Sequence, residues 1–145
     1  MNRRLLPLAL LLAGALSSGV ATAAPDADPL YADLGGQANL VRIVDDLVTR
    51  AVADPRIASF FEGANLEHLR TQLVAQFCQV SGGACPYDGP SMAVAHQDMD
   101  LRASHFNALV EDLQRAMDDQ GVPFSVQNRL LARLAPMHRE IVAPH

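Results

Sequence analysis

Apolar residues recur at intervals of three and four along most of this 145-residue chain, which is the period of helices with one buried face. The pattern predicts four main helices. Their apolar faces comprise Leu40, Ile43, Val44, Leu47, Val48 and Ala51; then Leu66, Leu69, Leu73, Phe77 and Val80; then Phe106, Leu109, Val110, Leu113 and Met117; and last Val126, Leu130, Leu134 and Ile141. We find no convincing two-residue alternation of the kind that half-buried strands show. The sequence therefore predicts an all-α fold.

Helix-ending and helix-capping residues separate these stripes. The first three end at Asp54-Pro55, Gly82-Gly83 and Gly121-Val122-Pro123. Asn65 and Ser104 can cap the second and third helices, because their side chains can accept a backbone hydrogen bond. Pro136 lies inside the last helix and is expected to kink it or to mark its fraying end. Two minor helical segments are expected, near residues 30–34 and 92–98.

The N-terminus has the three parts of a secretory signal peptide. A basic head, MNRR, precedes the twelve-residue apolar run LLPLALLLAGAL, and Ala21-Thr22-Ala23 fits the small-residue cleavage pattern. The run is short for a bilayer span, and an uncleaved helix at the membrane interface is the alternative. We therefore predict a signal peptide over residues 1–23, export to the periplasm, a flexible lead-in over residues 24–29 and one domain over residues 30–145.

The charge balance argues against polyanionic partners. All 11 basic residues are arginine, and the formal charge of the chain is −5. Cleavage of the predicted signal peptide would remove two arginines and no acidic residue, which takes the charge to −7. An acidic domain without a basic run is not expected to bind nucleic acid or an anionic membrane surface. Small-molecule partners are expected instead.

The two cysteines, Cys78 and Cys85, flank a Gly-Gly pair in the stretch CQVSGGAC. A zinc site would need about four ligands, whereas these cysteines and one distant histidine supply three. The CxxC spacing of redox couples and the CxxCH spacing of covalent haem attachment are both absent. In an oxidising compartment the pair is expected to form a disulfide, which contributes roughly 2.5 kcal/mol in the chain-entropy model.

His96 is the residue whose role matters most for function. It lies at the edge of a face shared by Met92, Ala95 and Met99, and a histidine in such a place can be an ordinary surface or core residue. A Phe-Phe pair in the stretch ASFFEG and Phe106 supply aromatic groups on either side in the sequence. Neutral imidazole is a good ligand for haem iron, which needs apolar walls of this kind.

Four stretches together resemble the group 1 truncated haemoglobins, which are small two-over-two helical globins. The resemblance covers about residues 30–142. It is carried by LYADLGGQANLVRIVDDL, ADPRIASFFEGAN, CPYDGPSMAVAH and HFNALVEDL…GVP…LLARLAPM. It implies a two-over-two helical sandwich, here with the disulfide, that holds haem b and binds the diatomic ligands O₂, NO or CO.

The resemblance also implies roles for individual residues. His96 would be the proximal iron ligand, and Phe61 would be the corner phenylalanine that packs on the porphyrin. The remaining pocket residues would be Leu66, Leu69, Leu73, Met92, Phe106 and Leu109, with Leu130 and Leu134 closing the pocket from the last helix. Arg70 can pair with a haem propionate, since guanidinium matches carboxylate well. His68 can be a sixth iron ligand, a propionate partner or a solvated side chain. His105 precedes Phe106 near where the haem edge should lie, and a surface role is expected for it rather than iron ligation.

The distal pocket departs from the pattern of the family. Val48 stands where the family often has tyrosine, and Leu69 and Leu73 stand where a glutamine often helps. A hydrogen bond to bound O₂ is worth roughly 1–3 kcal/mol, so its loss would speed O₂ release roughly ten- to a hundredfold. Three nearby polar residues could replace the donor, although none has the expected spacing: Thr49, Gln72 and Gln76.

Three functions are compatible with the sequence. The first is a periplasmic globin that binds gases reversibly, with NO dioxygenation or peroxidase-like chemistry as further activities that need a reductase the sequence does not identify. The second is a haem carrier or electron-transfer protein. The third is a helical binding module without haem. The sequence has no G-x-S-x-G stretch and no phosphate-binding loop, so it does not predict a hydrolase or a nucleotide-binding enzyme.

Overall fold

The computed structural model describes residues 29–142, and every regular element among them is helical. The α-helices are α1 (Leu30–Asp33), α2 (Gly36–Ala53), α3 (Leu66–Val80), α4 (Met92–Ala95), α5 (Ala103–Asp119), α6 (Phe124–Leu134) and α7 (His138–Ile141). Two 3₁₀ turns span Ala58–Phe61 and Ala135–Met137. The all-α prediction is confirmed. The predicted signal peptide and almost all of the predicted lead-in lie outside the described residues.

The four long helices form two packed pairs. Helix α2 contacts both α3 and α5, and α6 contacts both α3 and α5, so α2 and α3 lie over α5 and α6. The main core lies where these helices meet. Its fully buried side chains include Leu40, Leu47, Met117 and Leu130. None of the helices between residues 29 and 142 is long and apolar enough to span a bilayer.

Local signals fix where α2 and α3 begin. Gly35 has φ +90°, and a Cβ there would lie 2.6 Å from the Cβ of Asn39, so the turn before α2 requires glycine. The Asn39 side chain donates a 2.7 Å hydrogen bond back to the carbonyl oxygen of Leu34. Asn65 caps α3 as predicted, because its Oδ1 accepts the backbone N–H of His68 at 3.0 Å.

The predicted disulfide between Cys78 and Cys85 is present, with 5.8 Å between the two Cα atoms. It ties the end of α3 to the segment that leads to α4. Gly83 lies inside the loop, where a Cβ would come 2.8 Å from the Tyr31 ring and closer still to the Cys78 sulfur. Only glycine therefore fits between the bridge and the first helix.

The last helix is shorter than the sequence predicts. Helix α6 ends at Leu134, and the chain continues through the 3₁₀ turn Ala135–Met137 into the single turn of α7. Pro136 lies in the 3₁₀ turn, where its ring and missing N–H interrupt the regular hydrogen bonding. The expected break at Pro136 is confirmed, and the short helix α7 that follows it contacts α5.

Candidate functional site

A largely apolar cavity of about 140 Å³ lies between α2, α3, α5 and the segment after α4. Its walls are formed by Leu47, Val48, Ala51, Ile57, Phe60, Phe61, Leu69, Leu73, His96, Met99, Leu101, His105, Phe106, Leu109 and Ile141. Among these residues, only the two histidines have side-chain hydrogen-bonding nitrogens. The cavity therefore suits a large apolar ligand that is held by one or two polar contacts.

His96 reaches the cavity from the end of the short helix α4. Ser91 begins this helix, because its Oγ accepts the backbone N–H of Val94 at 3.3 Å. The carbonyl oxygen of Met92 accepts two hydrogen bonds from His96. One comes from the backbone N–H at 3.2 Å, and the other comes from the ring atom Nδ1 at 2.9 Å. A carbonyl can only accept, so Nδ1 carries the proton and Nε2 keeps its lone pair. The imidazole is thus prepared to bind a metal ion through Nε2.

The aromatic corner of the cavity is built by the 3₁₀ turn after α2. Phe60 and Phe61 pack with the buried residues Ala51, Ile57 and Ala108 in a second, smaller cluster. Ile57 is 3% exposed and fixes this turn against α2 and α5. The corner therefore presents two aromatic side chains to the cavity from a rigid support.

Comparison with known proteins agrees with this geometry. A family model described as bacterial-like globin matches residues 29–143. The chain belongs to the bacterial-like globin family. This globin is similar to the group 1 truncated hemoglobin GlbN of Mycolicibacterium paratuberculosis, with 31% identity over 77% of this chain and 82% of the relative. It is also similar to the corresponding protein of Nostoc commune, with 31% identity over 78% of this chain and 96% of the relative.

Solved structures show the same fold. The truncated hemoglobin of Tetrahymena pyriformis, in its Fe(III) form, gives a TM-score of 0.77 at 26% identity and covers 79% of this chain and 98% of its own. The cyanomet 2/2 hemoglobin of Synechococcus, with covalently attached heme, gives a TM-score of 0.74 at 24% identity. The match covers 78% of this chain and 97% of the Synechococcus chain. The resemblance predicted for this globin is confirmed, and the chain belongs among the group 1 truncated haemoglobins.

The structure brings about half of the predicted site residues to the cavity of this globin. Those that line it are Val48, Phe61, Leu69, Leu73, His96, Phe106 and Leu109. Four other predicted pocket residues do not line it. Leu130 is fully buried in the main core, and Leu66 and Leu134 pack against that core. Met92 instead lies with its Sδ 3.1 Å from the Nε2 of Gln76.

Arg70 is the clearest correction to the predicted site. Its Nε lies 3.2 Å from the Oδ1 of Asp45 on α2, and its side chain lines a separate surface pocket. Arg70 follows Leu69 by one residue, which is about 100° around the helix. Since Leu69 faces the cavity, Arg70 faces α2, and the structure does not bring it to the cavity as a propionate partner.

The polar candidates for the distal pocket are also directed elsewhere. Gln76 is buried against two methionine sulfurs, with its Nε2 3.1 Å from Met92 and 3.5 Å from Met137. The Thr49 hydroxyl donates to the carbonyl oxygen of Asp45 at 2.7 Å. The Oε1 of Gln72 is buried without a hydrogen-bond partner and lies beside Gly89. None of the three lines the cavity of this globin, so the predicted distal role of Gln76 is corrected as well.

Sequence reasoning missed several residues of the cavity wall. Leu47 and Ala51 belong to the predicted buried stripe of α2, and Phe60 is half of the quoted Phe-Phe pair, so their signals were present. His105 is expected near the haem edge in a surface role, and the structure leaves it half-buried in the cavity wall. His68 is exposed and is not among the lining residues, which agrees with the solvated alternative.

Proposed function

We propose that this globin binds haem b through the Nε2 atom of His96 and takes up a diatomic gas, O₂, NO or CO, reversibly. The observation that carries the proposal is the 2.9 Å hydrogen bond from Nδ1 of His96 to the carbonyl oxygen of Met92, beside an apolar cavity. When bound, the iron supplies a coordination position for the gas. His96 supplies the electron pair, and its backbone partner holds the ring in the required tautomer.

The walls of the cavity decide how strongly a gas is retained. Val48 is 1% exposed, and it lines the cavity together with Leu69 and Leu73. None of these side chains donates a hydrogen bond, and they exclude water from the ligand. We therefore propose fast release of O₂, roughly ten- to a hundredfold faster than from a site with one such donor.

Reversible gas binding is favoured over the alternative of a haem carrier or electron-transfer protein. An electron-transfer role favours two protein ligands on the iron, and His68 is the neighbouring candidate for the second. His68 is exposed, its backbone N–H is bound by the Asn65 cap, and its side chain does not line the cavity. We therefore propose a five-coordinate ferrous state that accepts a gas.

A periplasmic location is part of the proposal. It is supported by the signal-peptide pattern of residues 1–23 and by the Cys78–Cys85 disulfide, since such bridges persist in oxidising compartments. NO dioxygenation and peroxidase-like turnover remain further candidate activities of the same site. Both would require a reducing partner.

The optical spectrum of the reduced protein, with and without CO, tests the main proposal. The full chain is produced with haem supplied, and a five-coordinate ferrous spectrum that shifts on addition of CO is expected. A six-coordinate ferrous spectrum without added ligand would favour the electron-transfer alternative. A protein that takes up no haem would contradict both. Cell fractionation and N-terminal sequencing of the mature chain test the location.

A further inference from the structure

The two histidines of the cavity wall are held in opposite tautomers. His96 donates through Nδ1 to a carbonyl oxygen, so its bare nitrogen is Nε2. His105 accepts through Nδ1, because the backbone N–H of Arg102 donates to that atom at 3.2 Å. A neutral His105 therefore carries its proton on Nε2. One imidazole offers an electron pair to a ligand in the cavity, and the other offers a proton.

The backbone fixes the tautomer of His105 because the ring is part of a helix cap. His105 is the third residue of α5, and the N–H that it accepts belongs to the residue that precedes the helix. A residue in this place commonly returns a hydrogen bond to the helix start. The His105 ring also packs on Phe60, with 4.9 Å between the ring centroids. Both contacts hold the ring where it lies.

This arrangement makes His105 unsuitable as an iron ligand and suitable as a donor. To ligate through Nε2, the ring would have to move its proton to Nδ1 and give up the bond from Arg102. An acceptor on the ligand, in contrast, is bound without any change. His105 is half-buried and follows three exposed residues, 102–104, so it lies at the rim of the cavity. A donor at the rim suits a ligand whose acidic groups face solvent.

The remainder of the wall leaves few alternatives for an acidic group. Among the described residues that line the cavity, none is arginine, and Arg70 is paired with Asp45 elsewhere. We propose that the Nε2–H of His105 binds a propionate carboxylate of haem and orients the cofactor in the cavity. The inference rests on the proposed function and assigns a second contact of the same cofactor. His105 is thus a positioning residue that distinguishes the acidic edge of the macrocycle from its apolar edges.

Haem and its dimethyl ester provide the test, because the ester keeps iron and macrocycle but has no carboxylate. The full chain is loaded with either compound, and the rate of transfer to excess apomyoglobin is measured. The His105→Glu variant keeps an acceptor for the Arg102 N–H but replaces the donor with a negative charge. We expect this variant to release haem at least tenfold faster than the wild type and to release the ester at the wild-type rate.

Two further variants separate the contact from general damage. His105→Ala should also release haem about tenfold faster than the wild type, without the same acceleration for the ester. A general loss of helix stability would instead accelerate the release of both compounds. The matched control is His138→Ala, because His138 packs edge-on against the cavity residue Phe106 with centroids 4.9 Å apart but does not line the cavity. It should not change the ratio of the two release rates.

The outcomes distinguish this inference from the function on which it rests. Equal acceleration of haem and ester release by His105→Glu, or no acceleration of either, would overturn the propionate contact and leave His96 ligation intact. A wild-type chain that binds neither compound would overturn the proposed function and the contact with it. A selective effect on haem in both His105 variants would support the contact.

Discussion

The Nδ1 atom of His96 lies 2.9 Å from the carbonyl oxygen of Met92, four residues earlier in the chain. This bond couples one of the short helices of the fold to the chemistry of the site. Helix α4 has only four residues, and Ser91 caps it through the backbone N–H of Val94. Because the carbonyl of Met92 is oriented by that helix, the helix determines which nitrogen of His96 faces the cavity.

Replacing His96 with glycine tests the ligand assignment. The variant removes the imidazole without filling the cavity, so it should lose haem, or retain it only when free imidazole is added. The absorbance of purified protein, with and without imidazole, measures the effect. His138→Ala is the control, because it removes a histidine that does not line the cavity. Wild-type haem retention and coordination in His96→Gly would contradict the assignment.

Replacing Val48 with tyrosine tests the distal wall. Val48 lines the cavity and is 1% exposed, so a hydroxyl introduced there can reach a bound gas. We expect O₂ dissociation, measured by stopped-flow, to slow roughly ten- to a hundredfold. Val41→Tyr on the outer face of α2 is the control, since Val41 is 40% exposed. An unchanged dissociation rate in Val48→Tyr would show that this position does not face the ligand.

A buried carboxyl on α5 predicts a pH effect on stability. Asp112 is 2% exposed, and its Oδ2 has no hydrogen-bond partner. Burial, and then the charge of Asp54, raise the pKa of Asp112. Arg115 and Arg56 act against this shift, and Arg50 also lies near. Asp54 is held ionised by its hydrogen bonds with Arg56, which lower its pKa to about 2.

The raised pKa of Asp112 fixes the sign of the effect. The folded protein binds the carboxyl proton of Asp112 more tightly than the unfolded chain does. The stability that this proton contributes is therefore lost as the pH rises through the pKa of Asp112 in the folded protein. Asp112→Asn removes the charge and should raise the free energy of unfolding by about 1 kcal/mol above that pKa, or a few degrees in Tm. This gain in stability should shrink as the pH falls toward about 4, the ordinary pKa of a carboxyl group.

Thermal melts of both proteins from about pH 3.5 to pH 8, a range that spans the ordinary carboxyl pKa, measure this difference. Asp100→Asn, at an exposed position with φ +46°, is the matched control and should change Tm little at any pH. A constant difference between Asp112→Asn and the wild type across the range would contradict the buried titration.

Removing one half of the disulfide tests its contribution. Cys85→Ala opens the eight-residue loop and should lower the free energy of unfolding by roughly 2–3 kcal/mol, which corresponds to roughly 10 °C in Tm. A reducing agent should lower the Tm of the wild type by a similar amount and leave the Tm of the variant unchanged. Equal melting of the oxidised wild type and the variant would show that the bridge does not stabilise the fold.

The sequence predicted the parts of the fold that local patterns determine. The stripe of α3, its Asn65 cap and the bridge at its end are set by neighbours within a few residues. The start of α5 differs: the helix begins at Ala103, so the expected cap Ser104 lies inside it. The side chain of His105 returns the hydrogen bond to the helix start, which no short motif had indicated.

The candidate site was predicted less completely, because a helical stripe identifies a buried face but not what that face contacts. Leu69 and Leu130 have similar apolar periodicity, yet one lines the cavity and the other is fully buried in the main core. The partner of Arg70 depends on how α2 and α3 are aligned, which brings Asp45 within 3.2 Å. Such contacts between helices cannot be derived from the spacing within either helix.

The fit of Gly83 between the Cys78 sulfur and the Tyr31 ring has an evolutionary consequence. As long as the cysteine pair and Tyr31 are retained, selection at position 83 admits no larger side chain. A lineage that replaces both the cysteines and the aromatic ring would be freed to vary position 83. Joint inheritance of these positions among descendants would therefore be a genetic signature of the bridge.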